Sequence, residues 1–365
     1  MLVHGEEPFN AEPPTCALAE RLTTPLDAFY SRNHGPIPHI DTATWRLEVD
    51  GLVERPLRLS LEELRSRFPE REVIATLQCA GNRRAELIAI RDIPGEDPWR
   101  SGAISTASWV GVSLADVLAE AGLRPGAAHI SFAAPDVAQQ AEQAWQAEQA
   151  WQADLPRHFG GSIPVAKATA GEVLLAWAMN GHPLPAAHGA PLRVIVPGWI
   201  GARSVKWLER VTARADPSGN YFQAVAYRML PPDADPSRCG PGSGIPLGPV
   251  ALTCDILLPE HDSPVSPGPT EITGYALAGD GRGVARVDVS LDAGRTWTQA
   301  ELDAPAGPWA WQHWRTTVVL SEGEADIVAR AWDSAGTTQP ESPATLWNPR
   351  GYANTSWGRL HLTCR

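Results

Sequence analysis

Between Pro231 and Pro249 the chain reads PPDADPSRCGPGSGIPLGP, and ten of these nineteen residues are proline or glycine. Proline removes a backbone donor and clashes inside a helix, and glycine resists ordering, so neither a helix nor a central strand can run through this stretch. The chain is therefore divided. A length of 365 residues agrees, because single cores stop growing below that size. We expect an N-terminal extension over residues 1–29, a first domain over 30–235, a linker over 236–248 and a second domain over 249–365.

The two sides of the break are patterned differently. Before it, SLEELRSRF opens on Ser60 with Glu63 three residues later, a capping-box start for a helix. SLADVLAEAG opens on Ser113 and stops at Gly122, and TAGEVLLAWAMNG runs from Thr169 through Glu172 to Gly181, which predicts two more helices. Strand-like runs lie between them: TWRLEVDG, AHISFAA and LRVIVPG. This is a mixed α+β pattern without regular βαβ alternation. After the break, VARVDVSLDAGRTWTQAEL places Val287, Val289 and Leu291 inward and turns at Asp292–Gly294, and EADIVARAWDSAG alternates in the same way. Short alternating strands with turn signals predict a β-sandwich.

A formal net charge of −12 excludes a general nucleic-acid binder, which needs a basic footprint. The five cysteines, Cys16, Cys79, Cys239, Cys254 and Cys364, form no CxxC or Cys/His cluster, so zinc, c-type haem and iron–sulfur sites are not expected. The N-terminal MLVHGEEPFNAEPP has no basic–apolar leader and no twin arginine, and no apolar run reaches the roughly 20 residues that span a bilayer. The expected setting is the reducing cytoplasm, away from membranes. The hexamer AEQAWQ occurs twice in tandem over Ala141–Gln152; two copies are too few for a repeat fold, and a surface insertion is expected.

One short segment stands out chemically. TLQCAGNRR, Thr76 to Arg84, sets a lone thiol beside two arginines. Positive charge favours the thiolate, so Cys79 is expected to have a depressed pKa. A thiolate serves as nucleophile, redox centre or metal ligand; the plain alternative from composition is a buried, inert cysteine. No resolving cysteine is evident, and a metal would need ligands from elsewhere.

The segment ATLQCAGNRR closely resembles the active-site segment of the sulfite oxidase family of molybdenum enzymes. NHGPIPHID, SGAISTASWVGVSLADVL, GGSIPVAKA, LLAWAMNGHPLP, HGAPLRVIVPGWIGARSVKWLERV, VDVSLDAGRTW and LWNPRG resemble that family too, in its order, from about Tyr30 to the C-terminus. The resemblance implies a molybdopterin-binding domain followed by an immunoglobulin-like dimerisation domain, hence a homodimer. It implies oxidation of sulfite to sulfate by oxygen-atom transfer, with electrons leaving to a separate cytochrome or to oxygen; haem, flavin and zinc are not expected.

It also implies roles for residues. Cys79 matches the molybdenum ligand, with the pterin dithiolene supplying further sulfur. Tyr30, Ser31, Arg32, Asn33 and His34 match a pterin-binding loop, and His188, Arg193, Ser204, Val205 and Lys206 match further contacts. Asp136 matches an acidic pterin contact, with Asp154 as fallback because the hexamer duplication lies between. Arg32, Arg84 and Arg350 match anion-binding arginines, Trp99 a pocket tryptophan reached through a one-residue local insertion, and Tyr227 the active-site tyrosine. Arg228 stands where lysine is usual. Arg83 is expected to form a structural ion pair. Two rivals share parts of this pattern: a nitrate-reducing molybdoenzyme, and a non-catalytic carrier of the cofactor.

Overall fold

A computed structural model describes residues 1–137 and 158–365. The AEQAWQ duplication and Asp154 lie outside the described residues. Among the described residues no helix is long and apolar enough to cross a membrane.

The first domain is built on two five-stranded sheets. In one, His182–Pro183, Leu174–Met179, Ile104–Ser113 and Glu70–Gln78 lie side by side antiparallel, and Arg193–Ile195 also pairs with Leu174–Met179. In the other the order is Leu57–Leu59, Leu47–Gly51, Arg210–Arg214, His129–Val137 and His158–Pro164, with one parallel pair, Leu47–Gly51 beside Arg210–Arg214. Short helices sit between strands. The helix Leu61–Arg67 carries the expected capping box, Ser60 Oγ accepting from the Glu63 amide while the Glu63 carboxylate accepts from the Ser60 amide. Leu114–Ala121 is capped by Ser113 and ends at Gly122 with φ +72°.

The helix expected over Thr169–Gly181 does not form. Leu174–Met179 is a strand, buried on both faces and paired on both edges. A short apolar run reads equally as buried strand or buried helix. The deciding signal was the Asn180–Gly181 pair, whose φ angles of +49° and +76° make the tight hairpin turn into His182–Pro183.

The second domain packs a four-stranded sheet, including Thr253–Leu258, Gly268–Leu277 and Gln312–Leu320, against a five-stranded one, including Gly323–Asp333, Val284–Ser290 and Gly358–Cys364. Val287 and Val289 point into the core between the sheets, as expected. Leu291 does not. It is 42% exposed, because the strand ends at Ser290, whose hydroxyl and the Asp292 carboxylate fold the next residues into a turn.

The domains are not beads on a string. Val250, Leu257, Tyr275, Leu277, Trp311 and Tyr352 of the second domain belong to the same buried cluster as the core of the first. The linker folds back as well. Ile245–Pro246 pairs with Arg228–Met229, and the Arg228 guanidinium donates to the carbonyls of Gly242, Ser243 and Gly244. Residues 1–29 are likewise no loose extension. Leu2–Gly5 and Asn10–Glu12 form a hairpin, and the Glu12 carboxylate, 1% exposed, accepts from the amides of Arg100 and Gly102 at 2.8 Å each.

Candidate active site

Cys79 sits one residue beyond the strand Glu70–Gln78, where the chain turns toward the helix Arg84–Ile90. Its amide donates to Ala103 O at 2.8 Å, and its Sγ accepts from the Gly81 amide at 3.4 Å. Gly81 has to be glycine: a Cβ there would lie 2.4 Å from the Arg84 guanidinium. The turn closes through Arg83, held at φ +62°.

Cys79 lines a pocket that gathers most of the residues expected to hold the cofactor. Tyr30, Arg32, Asn33 and His34 line it from the segment after the N-terminal hairpin; Asp136, His188, Arg193, Ser204, Lys206 and Tyr227 complete the expected residues present. Phe159 and Trp207, which sequence reasoning missed, supply apolar wall. Ser31 and Val205 do not line the pocket. Ser31 bridges to Ala11 in both directions, and the Val205 carbonyl accepts from the Val194 amide at 3.0 Å, so both fix backbone behind it.

The N-terminal hairpin holds the Arg32–His34 segment. Asn10 Oδ1 accepts from the Asn33 amide at 2.7 Å, and Asn33 Nδ2 donates to Phe9 O at 2.6 Å. Asn10 gave no signal in the sequence, since a lone asparagine in an unpatterned leader reads as a loop residue. Tyr227 is delivered by a single π-helical turn, Phe222–Ala226, of the kind found where a side chain must be re-aimed.

The electrostatics are those of a cradle for an anion. Arg193 donates from Nη1 to His188 O and from Nη2 to Ser204 O, both at 2.9 Å, and its Nε is buried without a hydrogen-bond partner. Lys206 Nζ donates to Ala187 O at 3.0 Å and to Asn33 Oδ1. Burial first, and then mutual repulsion, holds Lys206 well below its ordinary pKa; burial alone brings Arg193 down to about 10. Burial and the same two cations push His188 down to about 3, which leaves a neutral imidazole. Asp136 is pushed up to about 6 by burial against the opposing pull of Lys206, and its Oδ1 has no partner among the described residues. A group carrying phosphate negative charge and polar ring edges satisfies all four at once.

The charge expected to ionise Cys79 does not prevail. Burial pushes its thiol up, against the opposing effects of Arg84 and Arg32. Arg83 contributes nothing there because it points away. It is fully buried in an ion pair with Asp255 (3.5 Å) and Glu86 (2.7 Å), and donates to the Ser356 and Trp357 carbonyls.

The three arginines read as anion contacts fare differently. Arg32 lines the pocket. Arg84 does not: its Nε donates to the carbonyls of Arg350 and Gly351, its Nη1 to Asp97 O at 2.9 Å, and its Nη2 pairs with Glu96 at 3.1 Å. These bonds draw a segment of the second domain against the first. Arg350, 7% exposed, is carried back on that segment, beside Glu96 at 3.9 Å and the Tyr221 hydroxyl. Tyr352 stacks on Tyr227 with centroids 5.7 Å apart. Trp99 is not a pocket residue. It is fully buried behind the site, edge-on to His4 at 4.7 Å.

Residues 34–222 match the oxidoreductase molybdopterin binding domain, and residues 249–365 match the Mo-co oxidoreductase dimerisation domain. Over 98% of its length the chain is 45% identical to the sulfite oxidase of Gallus gallus, of which it covers 76%. The chain belongs to the sulfite oxidase family of molybdopterin-dependent oxidoreductases. It spans 65% of the length of the mitochondrial sulfite oxidase of Rattus norvegicus, at 40% identity. A nitrate reductase of Hordeum vulgare is 38% identical over 99% of this chain and 42% of its own. The sulfane dehydrogenase SoxCD of Paracoccus pantotrophus superposes with a TM-score of 0.79, at 28% identity, over 96% of this chain and 83% of that one. The fold is thus the family's: a molybdopterin-binding domain followed by a β domain of dimerisation type.

Proposed function

We propose that the chain oxidises sulfite to sulfate at a molybdopterin-bound molybdenum ligated by Cys79, and passes the electrons to an external acceptor, a separate cytochrome or oxygen. The observation that carries this is one pocket holding both the undercompensated cations Arg193 and Lys206 and the buried thiol of Cys79, beside Arg32 and Tyr227. The 45% identity to a sulfite oxidase supports the choice of substrate.

When bound, the cofactor supplies a metal that exchanges an oxygen atom and an electron pair with a small oxo substrate. The chain supplies the rest. Lys206 and Arg193 hold phosphate oxygens, while Asn33, Asp136 and His188 meet polar ring edges. Cys79 is a soft ligand suited to such a metal once deprotonated. Arg32 and Arg350 hold the substrate oxyanion in a site from which most water is excluded, where fixed cations act strongly. Arg84 acts through Arg350, fixing its backbone. On binding, the Tyr227 hydroxyl turns its one proton from His34 to a substrate oxygen and orients it. The second domain thereby completes the site through Arg350 and Tyr352, besides joining two copies into a homodimer. We place the protein in the cytoplasm.

Steady-state assay of molybdenum-loaded protein with sulfite and with nitrate tests the reading. Turnover with sulfite supports it; turnover with nitrate alone replaces it with the nitrate-reducing one. Protein that takes up the cofactor but turns over neither is the carrier.

A further inference from the structure

Glu96 and Asp97 lie on the connection between the helix Arg84–Ile90 and the strand Ile104–Ser113. No role follows for them from the pocket or its cofactor, yet they face all three arginines read as anion contacts. Glu96 carboxylate oxygens lie 3.1 Å from Arg84 Nη2 and 3.9 Å from Arg350 Nη1, and Asp97 lies 4.0 Å from Arg32 Nε. Burial raises the phenols of Tyr227, Tyr352 and Tyr221, and Glu96 adds to the shift of each.

The cations are buried and the acid is not. The side chains of Arg84 and Arg350 are 3% and 8% exposed, against 19% for Glu96. Buried guanidinium groups without a counter-charge are costly, so the fold provides one. The residue before Glu96 is Gly95, at φ +81° with nothing within 4 Å of where a Cβ would stand. The backbone just before Glu96 is thus uncrowded.

We propose that Glu96 is an internal competitor for the substrate oxyanion: its carboxylate neutralises Arg350 in the resting protein and is exchanged for the oxyanion on binding. This rests on the sulfite reading for the identity of the anion, though not for its charge. An oxyanion that must displace a tethered carboxylate binds with its intrinsic Kd divided by the fraction of protein already open, that is, more weakly. Glu96 thus raises the binding threshold equally for every oxyanion that must displace it. It screens out weakly held anions and leaves those that can engage Arg32 and Arg350 together.

Sulfate binding to the molybdenum-loaded protein, followed by calorimetry, reads this without turnover. Glu96→Gln removes the competing charge and keeps the shape, so it is expected to tighten sulfate binding roughly two- to fivefold, the worth of a partly exposed ion pair, and to lower the sulfite KM in parallel. If Glu96 only props the arginines in place, both constants rise instead. Unchanged or weaker sulfate binding in Glu96→Gln overturns the proposal. Should that variant fail to fold, Glu96→Asp keeps the charge one methylene further back and is expected to tighten sulfate binding by a smaller factor; no tightening there is equally contrary. Wild-type protein that binds sulfate but does not oxidise sulfite would refute the proposed function and leave this test readable.

Discussion

The hydroxyl of Tyr227 lies 3.0 Å from Nε2 of His34, whose ring stacks on Phe159 at 4.8 Å. Burial, then Arg32 and Lys206, holds His34 well below its ordinary pKa, so the imidazole is neutral and accepts the bond. Burial pushes the phenol up, so Tyr227 keeps its proton and donates. Tyr227→Phe leaves a buried ring nitrogen unpaired, at a cost of about 1–3 kcal/mol. We expect a melting temperature lower by a few degrees and a kcat/KM for sulfite lower by about tenfold or more. A variant with wild-type kcat/KM would remove Tyr227 from the site.

Asp136 gives the cofactor-free protein a pH signature. Its folded pKa of about 6 lies above its ordinary value of 3.8. A carboxyl raised in this way favours folding while protonated. That stability is fully present below pH 3.8 and is lost as pH rises through about 6. The shift corresponds to up to about 3 kcal/mol. Asp136→Asn cannot ionise, so denaturant midpoints compared at pH 5 and pH 7 are expected to fall with pH in wild type more than in the variant. Parallel behaviour would show that Asp136 is not buried as described.

Arg83 is a matter of folding. Arg83→Met leaves the Asp255 carboxylate, 2% exposed, without its cation. The expected loss is about 3–5 kcal/mol in urea unfolding, the usual result of stripping one partner from a buried pair. Retention of wild-type stability would mean that Asp255 takes up a proton or another partner at little cost.

Arg350→Met removes a guanidinium brought to the site from the second domain. The sulfite KM is expected to rise about tenfold or more, as for a lost charged contact. An unchanged KM would place Arg350 outside the substrate's reach.

Much of this was legible in the sequence because it is written in local signals or in family-ordered motifs. The Ser60–Glu63 and Ser113 caps each act within one helical turn, and both helices form. The pocket residues Arg32, Cys79, His188, Arg193 and Tyr227 come from distant segments, and only their joint order marked them. What was missed is what local signals do not encode. Leu174–Met179 is apolar throughout, so periodicity could not choose strand over helix, although Asn180–Gly181 did contain the answer. At Cys79 the sequence shows the neighbouring charge and not the burial, so an ionised and a buried, inert thiol both stood open, and burial prevails. Glu96 went unremarked because an acid two residues after a proline reads as a solvated loop until Arg84 and Arg350 are seen beside it.

The most direct test of the account is X-ray absorption at the molybdenum edge of the loaded protein, before and after sulfite is added. The account predicts one more sulfur around the metal in wild type than in Cys79→Ser, and a shift of the wild-type edge to lower energy on adding sulfite. Equal sulfur shells in the two proteins, or an edge that sulfite does not move, would contradict it.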